Sequence, residues 1–113
     1  MTGTGVEKDV AEGGRLVRLA ADAGVPSAMT GMGWIYDQGD GVPQNIPEAV
    51  RWYQRAAEQD DLHAYMMLGM MHQVGRGLPK DLDKAAMYYR KILASRDEGL
   101  HEIAGKNLKA IGK

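Results

Sequence analysis

Residues 28–63, AMTGMGWIYDQGDGVPQNIPEAVRWYQRAAEQDDLH, can be set over residues 64–99, AYMMLGMMHQVGRGLPKDLDKAAMYYRKILASRDEG, without a gap. At this shift of 36, eight pairs are identical: Ala28/Ala64, Gly33/Gly69, Gly39/Gly75, Gly41/Gly77, Pro43/Pro79, Ala49/Ala85, Tyr53/Tyr89 and Asp61/Asp97. Others are chemically close, among them Met32/Leu68, Val42/Leu78, Trp52/Tyr88 and Arg55/Lys91. Chance rarely places two glycine pairs, a proline and a tyrosine at one common shift, so the chain is an internal repeat.

The shift runs on to both ends. Gly3 and Gly5 fall under Gly39 and Gly41, while Leu100, Ala104 and Gly105 continue the column of Ala64, Leu68 and Gly69. The expected organisation is one domain over residues 1–113. It comprises a half repeat at 3–27, full repeats at 28–63 and 64–99, and a half repeat or cap at 100–113.

Each repeat reads as two helices around a glycine loop. Positions 64, 68, 71 and 72 share one face at 100° per residue, as do 28, 32, 35 and 36. Gly39 and Gly75 stop these first (A) helices, because glycine accepts the left-handed conformation of a C-terminal cap. Asn45 and Asp81 stand where the second (B) helices need an N-cap, and Asp9 does so one repeat earlier. Pro47 falls in a first turn, where a missing N–H costs little. The B helices continue through Ala49, Trp52, Tyr53 and Ala56, and through Ala85, Tyr88, Tyr89 and Ile92. Small residues at 49 and 85 let helix axes approach, and the aromatic pairs fill the space between layers. The fold class is all-α, an antiparallel helical-hairpin solenoid of six helices in the order B-A-B-A-B-A.

Those residues resemble a family. Ala28, Met32, Gly33, Tyr36, Gly39, Gly41, Val42 and Pro43, followed by Ala49, Trp52, Tyr53, Arg55, Ala56 and Ala57, look like the Sel-one-like repeat (SLR), a relative of the tetratricopeptide repeat. A second copy runs from Ala64 to Leu93. His72 departs from the family's tyrosine, Asn45 from its aspartate, and Ile92-Leu93 from its paired alanines. The resemblance implies a non-catalytic adaptor or scaffold that holds protein partners, with an inhibitor or immunity partner as a specialised form. Some secreted, cysteine-rich members have been linked to β-lactam binding, which does not carry over to a chain with no cysteine.

Composition narrows the function classes. Of the 113 residues, 14 are Lys or Arg and 15 Asp or Glu, a net charge of -1. A nucleic-acid binder relying on a basic face needs a clear surplus of Lys and Arg. Apolar windows are short and interrupted, so no membrane insertion is expected. Zero cysteines remove disulfides, thiolate nucleophiles and cysteine-based zinc sites. His63, His72 and His101 have no second ligand at i+3 or i+4, so no metal or cofactor is expected. His72 reads as a packed helix residue in a tyrosine column. Gly39-Asp40-Gly41 and Gly75-Arg76-Gly77 lack the lysine of a phosphate loop and are turns. The acidic pairs Asp60-Asp61, Asp81/Asp83 and Asp97-Glu98 lie at helix ends, where solvation, and at Asp81 and Asp83 capping, accounts for them. No catalytic constellation emerges, and an enzyme ranks third among the readings. The visible chain starts without a signal pattern, which leaves a cytoplasmic default, with a periplasmic or secreted location open for a processed chain.

What the columns do show is a surface. Opposite the packing face, the A helices carry Thr30, Trp34, Asp37 and Gln38, then Met66, Met70, Gln73 and Val74. In a tetratricopeptide-like stack, A helices line the concave side. Trp34 and Met70 share one column, and flexible methionines beside an aromatic suit a partner's apolar segment. The expected site is therefore a protein- or peptide-binding face with Trp34, Met66 and Met70 as anchors. Glu102, Lys106 and Lys109 in the last helix give the groove one basic end, suited to an acidic or C-terminal carboxylate group on the partner. The alternative is self-assembly. The two half repeats together make one full repeat, so the ends of two copies can complement each other in a homo-oligomer. Leu19, in the column of Arg55 and Lys91, is an apolar residue out of place on a solvated face.

Overall fold

The computed structural model describes residues 13–113, all of it helix and loop. The B-A-B-A-B-A order is what the structure shows. Residues 13–22 are helical (α1), followed by α2 (Pro26–Gln38), α3 (Ile46–Ala57), α4 (Leu62–Val74), α5 (Leu82–Leu93) and α6 (His101–Ala110). A single 3₁₀ turn, Glu98–Leu100, leads into α6. The cap expected at Asp9 lies outside the described residues.

Helix boundaries follow local chemistry. Asn45 and Asp81 accept the backbone N–H of Glu48 and Lys84 at 3.1 and 3.0 Å, as N-caps should. Gly39 and Gly75 take left-handed φ values of 71° and 74° and return their N–H groups to Ile35 and Met71. The A helices begin two residues earlier than the periodicity placed them. Pro26 opens α2 in its first turn, and Asp61 caps α4 by accepting the Ala64 N–H at 3.1 Å. Glu48 does not close a reciprocal capping box; it pairs with Arg51 at 2.6 Å instead. The far end of each glycine loop is then tied back to its A helix. Asn45 N–H donates to the Tyr36 carbonyl and Asp81 N–H to the His72 carbonyl, both at 2.9 Å.

Within each repeat the A and B helices form the tightest contacts, and the repeats then stack. The unit of packing is a glycine on A against a tyrosine on B. A Cβ at Gly33 would run into the ring carbons of Tyr53, and one at Gly69 would stand 2.7 Å from Cε1 of Tyr89. Both tyrosines are fully buried. Their hydroxyls reach back to the A helix at the same offset: Tyr53 donates to Asp37 Oδ2 at 3.3 Å, and Tyr89 to Gln73 Oε1 at 2.6 Å. Burial therefore costs neither hydroxyl its hydrogen bond, which would otherwise be an expensive loss.

The core is a line of three clusters rather than a ball. Trp52 joins Met29, Met32 and Ala64; Tyr53 joins Ala49, Val50, Leu68 and Met71; Tyr89 joins Tyr65, Ala85, Ile92 and Ala104. The molecule measures 50 × 27 × 23 Å with a radius of gyration of 15.2 Å. A compact chain of this length has a radius of about 13 Å. Each repeat thus touches its neighbours, as a solenoid requires. Helix α4 sits mid-stack and is buried almost all round, including Tyr65, Met66 and His72. His72 fills its tyrosine column by stacking on Tyr88, 6.0 Å between centroids, with Nδ1 3.0 Å from the Pro79 carbonyl oxygen.

Candidate functional site

The A helices present one face that the B helices leave uncovered. On α2, Trp34 is 48% exposed, and on α4 its column partner Met70 is 43% exposed. Between the two helices lie two shallow depressions that share Met67. The first, about 320 Å³, is bounded by Thr30, Trp34, Asp61 and His63, with Met66 at its floor. The second, about 410 Å³, is bounded by Gln38, Met70, Val74, Arg76 and Asn107. A third, about 390 Å³, lies between α1 and α2 on the other side of Trp34, so the indole stands as a ridge between two hollows.

Most of the expected residues meet here, in different roles. Trp34, Met70, Val74 and Gln38 are exposed along the groove. Thr30 is half-buried and donates to Asp61 Oδ2 at 2.6 Å, which ties α2 to the cap of α4. Gln73 is half-buried and holds the Tyr89 hydroxyl.

Two expected groove residues are corrected. Met66 is only 7% exposed: it belongs to the cluster of Tyr89, Ile92 and Ala104, and Asn107 Nδ2 of α6 lies 3.8 Å from its sulfur. The last helix covers the face on which Met66 would have projected, so it is a core residue. Asp37 is buried as well. Arg76, from the loop after α4, donates to its Oδ1 at 2.5 Å, while Tyr53 donates to Oδ2. Lys106 is exposed on α6 but lines neither depression.

Met67, Arg76 and Asn107 were not anticipated. Met67 faces Gly31 in its column, so nothing in its pattern marks it. Arg76 stands in a turn, and its reach across to the preceding repeat is invisible without coordinates.

The electrostatics of the site are those of a packed, satisfied surface. The Arg76 guanidinium neutralises the buried Asp37 carboxylate across the repeat boundary. Burial, then the charge of Asp37, pushes the Tyr53 phenol well above its ordinary value. The Tyr65 phenol, buried and hydrogen-bonded to Asp60, is pushed up to about 12. These tyrosines stay neutral donors at any ordinary pH. Among the described residues, no group of three or more His, Asp or Glu converges as a metal site would require, and no helix is long and apolar enough to cross a membrane.

Comparison with known proteins places this geometry. The family model for the Sel1 repeat matches three times, at residues 1–25, 26–61 and 62–94. The chain belongs to the Sel1 repeat family. Its solved neighbours agree. A Sel1 repeat protein from Oxalobacter formigenes superposes with a TM-score of 0.83 at 33% identity, covering 99% of this chain and 45% of that one. The protein c5321, a protective antigen of uropathogenic Escherichia coli strains with an SLR fold, superposes with a TM-score of 0.78 at 30% identity, covering 87% of this chain and 20% of that one. This chain thus spans less than half of either solved relative. No curated protein matches it. Sel1 repeats are generally protein–protein interaction modules and are typically non-catalytic.

Proposed function

We propose that this Sel1 repeat chain is a non-catalytic interaction module that binds a peptide or protein segment along its A-helix face. The observation that carries this reading is the pairing of exposed Trp34 and Met70 at one position of successive A helices. An indole costs free energy to leave in water, and the two hollows beside it have the concave, mostly apolar lining of a binding surface. Val74 extends the apolar strip, and Gln38 and Gln73 offer amide groups to a partner backbone. Trp34 and Met70 are thus the anchors, with Thr30, Gln38, Gln73 and Val74 around them. Met66 and the Asp37–Arg76 pair form the supporting floor, and Lys106 lies beyond the rim.

A peptide-display selection on the immobilised chain tests it. Selected peptides should lose affinity for Trp34→Ala and Met70→Ala proteins that keep their helicity. Peptides that bind both variants as well as the parent would place the site elsewhere.

A further inference from the structure

The two hollows between α2 and α4 differ in character, and the difference describes what fits them. Apolar atoms make almost all of the exposed wall of the first, where Gly31, Trp34, Met66 and Met67 converge. The second has Met70 and Val74 on its walls and ends on charge, at Asp37 and Arg76. Asp61 and Asp37 are the carboxylates that border the hollows, and both are already engaged. Asp61 Oδ2 accepts the Thr30 hydroxyl and the Ala64 N–H. Asp37 accepts Arg76 at Oδ1, Tyr53 at Oδ2 and Gln44 at its backbone carbonyl. Arg76 is the opposite case. Its bonds to Asp37 all run through Nη2, and Nη1 and Nε donate to nothing among the described residues. The side chain is 47% exposed. A guanidinium carries five N–H groups in a planar fork. Here one corner is clamped by a buried carboxylate, and the other edge is open.

Resting on the groove reading above, we propose that the partner is an acidic segment, with an apolar side chain beside Trp34 and a side-chain carboxylate on the open edge of Arg76. A carboxylate presents two coplanar acceptors that match the fork, and such paired, charge-assisted bonds are among the strong ones. Asp37 holds the guanidinium in place before the partner arrives, so little side-chain freedom is lost on binding. The Asp37–Arg76 pair is neutral as a whole. Recognition is therefore by contact and geometry rather than by long-range attraction. The two hollows also set a spacing. The first centres between Thr30 and Trp34 and the second lies beside Gln38, about 9 Å further along α2 by helix rise. An extended segment covers that distance in about three residues.

The test starts from a random peptide library fused to the N-terminus of a phage coat protein, which displays no free C-terminal carboxylate. Peptides selected on the chain that lose binding to Trp34→Ala should carry Asp or Glu about three positions from an apolar residue. One of them, made with an amidated C-terminus, is titrated against the parent and Arg76→Gln proteins, beside an identical peptide whose acidic side chain is replaced by its amide. On the parent the replacement should weaken binding roughly tenfold, and on Arg76→Gln less than about twofold. If Arg76→Gln melts early, Asp37→Asn combined with Arg76→Gln takes its place, since that pair leaves no buried charge unpartnered. Equal losses on the two proteins overturn the acidic partner and leave the groove standing, as do Trp34-dependent peptides with no excess of Asp or Glu. Peptides indifferent to both Trp34→Ala and Arg76→Gln, or a library that yields no binder, overturn both readings.

Discussion

The ring of Tyr89 lies so close to the backbone of Gly69 that a Cβ there would stand 2.7 Å from Cε1 and 3.1 Å from Cδ1. Gly33 and Tyr53 repeat this relationship in the preceding repeat, and Gly105 offers it with no ring in place. Three glycines in one column thus have two different energetic roles.

Gly33→Ala and Gly69→Ala should each destabilise the fold by about 2 kcal/mol, because a methyl group must displace a fully buried ring. Gly105→Ala should do the reverse, stabilising α6 by up to about 1 kcal/mol through helix propensity alone. Urea unfolding followed by circular dichroism reads all three, and equal effects at the three sites would refute the repeat-packing account.

The A-helix face separates into anchors and floor. Trp34→Ala and Met70→Ala remove half-exposed side chains, so each should leave the melting temperature nearly unchanged and cost about 2 kcal/mol in partner binding. Met66→Ala opens a cavity beside Tyr89 and Ile92 and should cost about 3 kcal/mol of stability. Thermal melts set beside binding titrations distinguish the two kinds of residue.

Much of this face was legible in the sequence because the repeat fixes columns, and a column fixes which side of a helix a residue occupies. Trp34 and Met70 follow from that logic, as do the caps at Asn45 and Asp81 and the left-handed turns at Gly39 and Gly75. Periodicity fails where burial depends on something outside the helix. Met66 and Thr30 share a column, yet α6 packs against the first and buries it, while the second stays half-buried. Asp37 looks like a solvated residue until Arg76, 39 positions away, is brought onto it. Asp61 was read as one of a solvated pair, but it caps α4 and holds Thr30.

Asp37 carries a second prediction of stability. Asp37→Ala strips the acceptor from the buried Tyr53 hydroxyl and the counter-charge from Arg76. Since Arg76 is half-exposed and recovers some water, the loss should be about 2 kcal/mol. Asp37→Asn keeps an acceptor for Tyr53 and should lose about half as much. Denaturant midpoints of the two variants check the ordering, which a purely ionic role for Asp37 would abolish.

The caps predict a difference in kind. Asn45→Ala removes one N-cap and should cost about 1 kcal/mol. Asp61→Ala removes a cap and also the 2.6 Å bond by which Thr30 ties α2 to the start of α4, so it should cost more. Hydrogen exchange at the start of α4 should accelerate in Asp61→Ala and stay unchanged in Asn45→Ala.

Alkaline pH should unfold the chain cooperatively. The folded state holds the Tyr53 and Tyr65 phenols above the ordinary value of 10.0, chiefly by burial, with Tyr65 near 12. A raised folded value means this contribution is complete below pH 10 and is lost as the pH climbs through 10 toward 12, where only the unfolded phenols ionise readily. Melting temperature measured against pH, together with phenolate absorbance, should show both changes in the same window. Ionisation of these tyrosines without loss of helicity would contradict the packing described for them.

The central claim is that the A helices bear the partner-binding face, and amide chemical-shift mapping with a display-selected peptide tests it most directly. The account predicts perturbations concentrated on α2 and α4 around Trp34, Gln38, Met70 and Val74, with the Trp34 indole N–H among the largest. Perturbations confined to the outward surfaces of α3 and α5, with α2 and α4 unmoved, would contradict it.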